Sequence, residues 1–147
     1  MYDGERIRLV VTNLVSKSAN TKIKNMAQVW ILPDSEEKLS VIMADGRDRS
    51  YCGDCKLRWF LRKERKSNGE NEGHKCYVTW IYAPNNVHRS THGKPTELKE
   101  GLEAIKKVNK PVRVGAGGDI GAVPAPIVEK LFSAILWKEE QQSGRDT

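Results

Sequence analysis

Cys52 and Cys55 stand in the spacing Cys-x-x-Cys, and Gly53 between them lets the chain turn so that both sulfurs face one point. The third cysteine, Cys76, has His74 two residues before it, which gives the pattern C-x2-C-x18-H-x-C. Zinc takes four ligands in a closed tetrahedral site, so Cys52, Cys55, Cys76 and His74 form a complete candidate set. The three cysteines without the histidine would instead suit an iron–sulfur cluster with one open iron. A redox Cys-x-x-Cys is a third chemistry, helped by a basic helix expected over Lys56-Leu57-Arg58-Trp59-Phe60-Leu61 that would depress a thiol pKa, although it has no need of Cys76. The plain alternative is three unrelated buried cysteines.

Two further constellations carry possible chemistry. Lys56, Arg58, Arg62, Lys63, Arg65 and Lys66 crowd one segment with Trp59 and Phe60. Cations for phosphates and rings for stacking suit a nucleic-acid or other acidic partner. The other reading is a helix whose rings pack inward and whose charges are solvated. The second constellation is the glycine-rich turn Gly115-Ala116-Gly117-Gly118-Asp119-Ile120-Gly121, between a short strand and a helix. Backbone N–H groups of Gly115, Gly117 and Gly118 could approach an anion there, with Asp119 holding a ligand hydroxyl or amine. The turn fits neither a Walker loop nor the dinucleotide fingerprint, and the other reading is a structural turn that Asp119 caps. His88 and His92 flank Arg89-Ser90-Thr91 as site residues or as exposed loop histidines.

Elements must bring these residues together. Arg6–Val11 and Gln28–Leu32 read as strands, and Leu39–Met43 as a third, stopped by Asp45-Gly46. Their spacing predicts an antiparallel N-terminal segment. Cys76–Tyr82 reads as a buried strand ended by Ala83-Pro84-Asn85-Asn86. A helix capped near Thr96 aligns Leu98, Leu102, Ile105 and Val108, and Pro111–Val114 is a short strand. A last helix after Val123-Pro124-Ala125-Pro126 carries Ile127, Val128, Leu131, Ile135 and Leu136 on its apolar side. The fold class is therefore α/β or α+β, a single domain with a mixed sheet, antiparallel N-terminal strands and βα units in the C-terminal half. The expected organisation is one domain over residues 1–138 with a Cys-rich insert at 51–77, and a flexible tail over 139–147.

The 147 residues carry 25 Lys and Arg against 19 Asp and Glu, a formal charge of +6 that favours an acidic partner. The N-terminal residues lack the apolar run of a signal peptide, and no apolar stretch reaches membrane-span length. The expected compartment is the cytoplasm, where thiols stay reduced, with no membrane partner.

Several segments together resemble a known family. They are Asn20-Thr21-Lys22 leading to Gln28–Leu32, then Gly46-Arg47-Asp48-Arg49-Ser50-Tyr51-Cys52-Gly53-Asp54-Cys55. Cys76-Tyr77-Val78 with Ala83–Val87, and Val112–Gly115 running through Gly118-Asp119 to Ala122-Val123-Pro124, complete the series. In this order they resemble the phage "gene product eighty-eight" proteins. The resemblance spans nearly the whole chain. It implies a phage or prophage origin, hence an infected bacterial cell as the setting, and a conjoined site of Cys52, Cys55 and Cys76. Members of that family look distantly like radical enzymes that bind a cluster and S-adenosylmethionine. This chain reads Gly118-Asp119-Ile120 where the family has Gly-Asp-Pro, and it stops at Thr147 where the family continues. The radical-enzyme spacing C-x3-C-x2-C is also absent. The expected function is therefore a metal-site binding protein, with zinc or an iron–sulfur cluster, that engages nucleic acid or a host protein and antagonises a host process such as defence. The alternative is an iron–sulfur or radical-type enzyme using the three cysteines and, in that case only, S-adenosylmethionine.

Overall fold

A computed structural model describes residues 5–14, 26–61, 76, 78–91 and 98–144. Among these residues the chain is an α+β fold around a three-stranded mixed sheet. Strand β1, Ile7–Thr12, runs antiparallel to β2, Ala27–Pro33, with Leu9 opposite Ile31 and Val11 opposite Val29. Strand β3, Val112–Val114, lies on the other side of β2 and runs parallel to it. All seven residues of β2 are buried, as expected for a central strand covered on both faces.

Two cores meet on that strand. Val29 packs with Ile105, Leu131 and Ala134 from helices α4, Leu98–Lys107, and α5, Ala125–Ser143. Trp30, Ile31 and Leu32 pack with Leu39, Ile42, Met43, Tyr51, Cys52 and Trp80. The second core is the one that holds a cysteine.

Several expectations about the elements are corrected. Leu39–Ala44 is a helix, α1, not a strand. Leu39, Ile42 and Met43 are buried while Val41 is exposed, which is the three-and-four spacing of a helix face. Asp45-Gly46 does stop the element, but as a helix C-terminus: Asp45 is the C-cap and Gly46 follows at φ +90°. No strand forms among the described residues of 76–82, where Trp80–Tyr82 is a turn and Ile81 and Tyr82 are exposed. Ala83–Thr91 is helix α3, with Pro84 in its first turn, where a missing N–H costs nothing. The Pro signal marked the start of a helix rather than the end of a strand. On α5 the buried strip is Leu131, Ala134 and Lys138, and Leu136 is 62% exposed, since the helical rotation carries it off that strip. The helix continues to Ser143, into the stretch read as tail. Among the described residues no helix is long and apolar enough to cross a membrane.

His88 lies on α3 and is only 1% exposed, so it is a structural residue rather than a loop histidine. Its Nε2–H donates to the Glu37 carbonyl at 2.9 Å, and its Nδ1 accepts from Arg8 at 3.2 Å. The same Arg8 nitrogen donates to the His88 carbonyl, also at 3.2 Å. This network ties α3 to β1 and to the segment before α1. His92 and Thr96 lie outside the described residues.

Candidate functional site

The Cys-x-x-Cys segment is built on a one-turn helix, α2, Arg49–Cys52. The Cys52 N–H donates to Asp48 O at 2.9 Å, and Gly53, at φ +59°, takes the chain out of the turn. The Cys55 N–H then donates to Cys52 O at 3.2 Å, so the two cysteines bracket a closed turn, as Gly53 led one to expect.

A buried ion pair braces that turn. The Asp48 carboxylate, 1% exposed, accepts from Arg58 Nη1 at 2.5 Å and from the Phe60 N–H at 3.0 Å. Arg58 also donates to Gly46 O at 3.3 Å and stacks over the Phe60 ring at 5.4 Å. These contacts replace the helix expected after Cys55. Residues Lys56 and Leu57 form a turn, followed by a single 3-10 turn over Trp59–Leu61. Trp59 and Phe60 are 40% and 43% exposed, so neither ring packs into a core as an inward-facing helix would require. Arg58 is 13% exposed and paired, whereas Lys56 is exposed. Arg62, Lys63, Arg65, Lys66 and His74 lie outside the described residues.

The glycine-rich turn is the element that holds the cysteine turn against the sheet. The Gly115 and Ala116 N–H groups both donate to Val29 O at 3.1 Å. Ile31 N–H donates to Gly117 O, and Asp119 N–H donates to Tyr51 O, each at 2.8 Å. Gly118 sits at φ +83°, and a Cβ there would stand 2.5 Å from Ile31 O and 2.9 Å from Tyr51 O. Only glycine permits that approach. A Cβ at Gly117 would meet the Trp30 ring at 3.0 Å. Of the N–H groups expected to cradle an anion, that of Gly115 is thus bonded within the fold, as are those of its neighbours Ala116 and Asp119. Asp119 caps the following 3-10 turn, Ile120–Ala122, by accepting from the Gly121 N–H at 2.9 Å.

Docking of the two turns opens a cavity of about 390 Å³ between them. Cys52, Cys55 and Cys76 all line it, although Cys76 comes from a separate segment. Arg58, Gly115, Gly118 and Asp119 share the lining, and Val78, Trp80, Val114, Ile120 and Phe132 add an apolar wall. All three thiols are free. Burial pushes the Cys52 thiol well above its ordinary range, Asp48 and the neighbouring Cys76 and Cys55 push the same way, and Arg58 opposes them weakly. Among the described residues no three His, Cys, Asp or Glu side chains are grouped closely enough to hold one metal ion.

Sequence reasoning paired the three cysteines and separately noticed the glycine turn. It missed that the two line one cavity, and it missed Asp48, Trp80 and Phe132. Asp48 carried no signal, because a lone aspartate beside Arg47 and Arg49 reads as a surface charge. Larger depressions lie between α4 and α5 and along β1, and neither contains a cysteine. No family model, no curated protein and no solved structure matches this chain.

Proposed function

We propose that this chain is a thiol-site binding protein in which Cys52, Cys55 and Cys76 hold zinc or an iron–sulfur cluster. The observation that carries the reading is the arrival of all three free thiols, from two separate segments, on one cavity. Soft thiolate donors select those groups by chemistry. His74 would be the fourth zinc ligand by its spacing alone. No described trio is grouped for one ion, so metal content is the measurement that decides the reading.

The chain's own residues do identifiable work for such a site. The Asp48–Arg58 pair fixes the turn that carries Cys52 and Cys55, and Gly118 lets that turn approach β2. A bound metal would tie the Cys76 segment to the same turn. The partner is an acidic one, nucleic acid or a host protein. It is met through exposed Lys56 and Trp59 and the basic stretch of Arg62, Lys63, Arg65 and Lys66. Arg58 is left out of that surface because Asp48 engages it. The phage-type role, antagonism of a host process inside an infected cell, rests on the resemblance alone.

The test is purification without oxygen, followed by the absorption spectrum and by zinc, iron and sulfide per chain. Colourless protein with zinc near one per chain, lost in Cys55→Ser and Cys76→Ser, is the expected result. A full metal load in those variants, or no metal in the wild type, defeats the proposal. The second reading, an iron–sulfur enzyme, is favoured by the cavity volume, which falls within the range of small-molecule sites. Brown protein with iron and sulfide that binds S-adenosylmethionine would select it.

A further inference from the structure

The thiols account for only part of the cavity lining. Trp80, Phe132 and Asp119 line the same space. The charges there do not balance. Arg58 is matched by Asp48 in a buried ion pair. Asp119 is exposed, and its Oδ1 accepts from the Gly121 N–H. It has no ion-pair partner among the described residues. With Asp48 paired to Arg58, Asp119 is the charge of the described lining that has no opposite charge beside it.

We propose that the cavity is a binding site for a small organic ammonium with an aromatic or apolar body. Its N–H groups would donate to the Asp119 carboxylate, a charge-assisted contact. Its body would lie along Trp80, Ile120 and Phe132, where ring faces also attract a cation. Phe132 is 42% exposed on α5, so its ring offers surface that no other described element covers. A metal or cluster at the thiols does not account for the aromatic residues of the lining. An anionic ligand would face Asp119, and the described cation of the lining, Arg58, is already engaged by Asp48.

The site needs no metal, so it stands or falls apart from the thiol reading. The probes are phenethylammonium, neutral 2-phenylethanol and anionic phenylacetate, titrated into the full chain. Amide NMR shifts of Gly115, Gly118 and Asp119 report binding. Phenethylammonium should shift these amides and bind roughly fivefold or more tightly than 2-phenylethanol, the size expected of one exposed charge pair plus a ring contact. Phenylacetate should bind weakest. Asp119→Asn keeps an oxygen for the Gly121 N–H and should erase the preference for the cation. Phe132→Ala should weaken phenethylammonium and 2-phenylethanol alike. Equal affinity for the cation and the alcohol, shifts that avoid these amides, or an unchanged preference in Asp119→Asn each overturn the proposal. Loss of metal in Cys76→Ser with the cation preference intact would leave it standing.

Discussion

Replacing Gly118 by alanine should disable the cysteine turn without touching a cysteine. The residue sits at φ +83°, where an L side chain costs about 1–2 kcal/mol. The new Cβ would also stand 2.5 Å from Ile31 O, 2.7 Å from Ile31 Cβ and 2.9 Å from Tyr51 O. Ordinary carbon contacts lie near 3.5–4.0 Å, so the turn must retreat by roughly 1 Å. Two of the neighbours are backbone oxygens and cannot swing aside. The retreat stretches the Ile31–Gly117 and Asp119–Tyr51 hydrogen bonds, each now 2.8 Å long and worth about 1 kcal/mol. Strain, overlap and lost bonds together come to about 3–6 kcal/mol, a large share of the roughly 5–15 kcal/mol that holds a domain of this size. Urea unfolding should show the midpoint fall by roughly 2 M, at a slope of about 1–3 kcal/mol per molar. In native buffer, Cys52 should react faster with an aromatic disulfide, because Tyr51 is no longer held by Asp119. A midpoint within about 0.5 M of wild type, with Cys52 still protected, would refute the packing argument. The matching control is Gly101→Ala. Gly101 lies in α4 with no atom within 4 Å of a built Cβ, so that variant should gain about 0.5–1 kcal/mol.

Further outcomes follow from buried polar groups. Tyr51→Phe removes a hydroxyl that is buried without a hydrogen-bond partner among the described residues, and should leave stability unchanged or raise it by about 1 kcal/mol in the same urea assay. A loss of that size would reveal a partner for the oxygen. His88→Ala should cost about 2–4 kcal/mol, because it empties a buried position and strands Arg8 and the Glu37 carbonyl; a midpoint near wild type would show that the network bears no weight. Arg47 hydrogen-bonds Glu37 and Asp45 and holds both carboxylates below their ordinary range. Carboxylates with depressed folded values stabilise the fold above their unfolded pKa and lose that contribution as pH falls through the folded one. Wild type and Arg47→Gln should therefore differ slightly near pH 6 and converge on acidification below about pH 4; a gap that widens in acid would contradict the sign. Arg62→Glu with Lys63→Glu should weaken binding to an acidic partner and flatten its salt dependence, and unchanged affinity would remove that stretch as the contact surface.

The readable parts of this fold were those fixed by local chemistry. Alternating and β-branched residues marked β1 and β2, and the helical spacing of Leu98, Leu102, Ile105 and Val108 marked α4. The mixed sheet followed from short antiparallel strands early and a strand–helix alternation late. Gly53 announced the turn between Cys52 and Cys55 because a positive φ there needs no tertiary partner. Tertiary packing decided the rest. Leu39–Met43 carries five residues that suit either period, and only the core that receives Leu39, Ile42 and Met43 selects the helix. Pro84 can end a strand or begin a helix with equal local cost, and burial of Pro84 and His88 chose the helix. The glycines at 117 and 118 looked like a ligand cradle, yet their need is set by the Trp30 ring and by two carbonyls remote in sequence. Likewise Asp48 is ordinary until Arg58 folds back on it. Sequence determined that three thiols and a glycine turn exist and what chemistry they could do. Whether they line one cavity depends on close approach between segments far apart in the chain, and such contacts have no local signature to read.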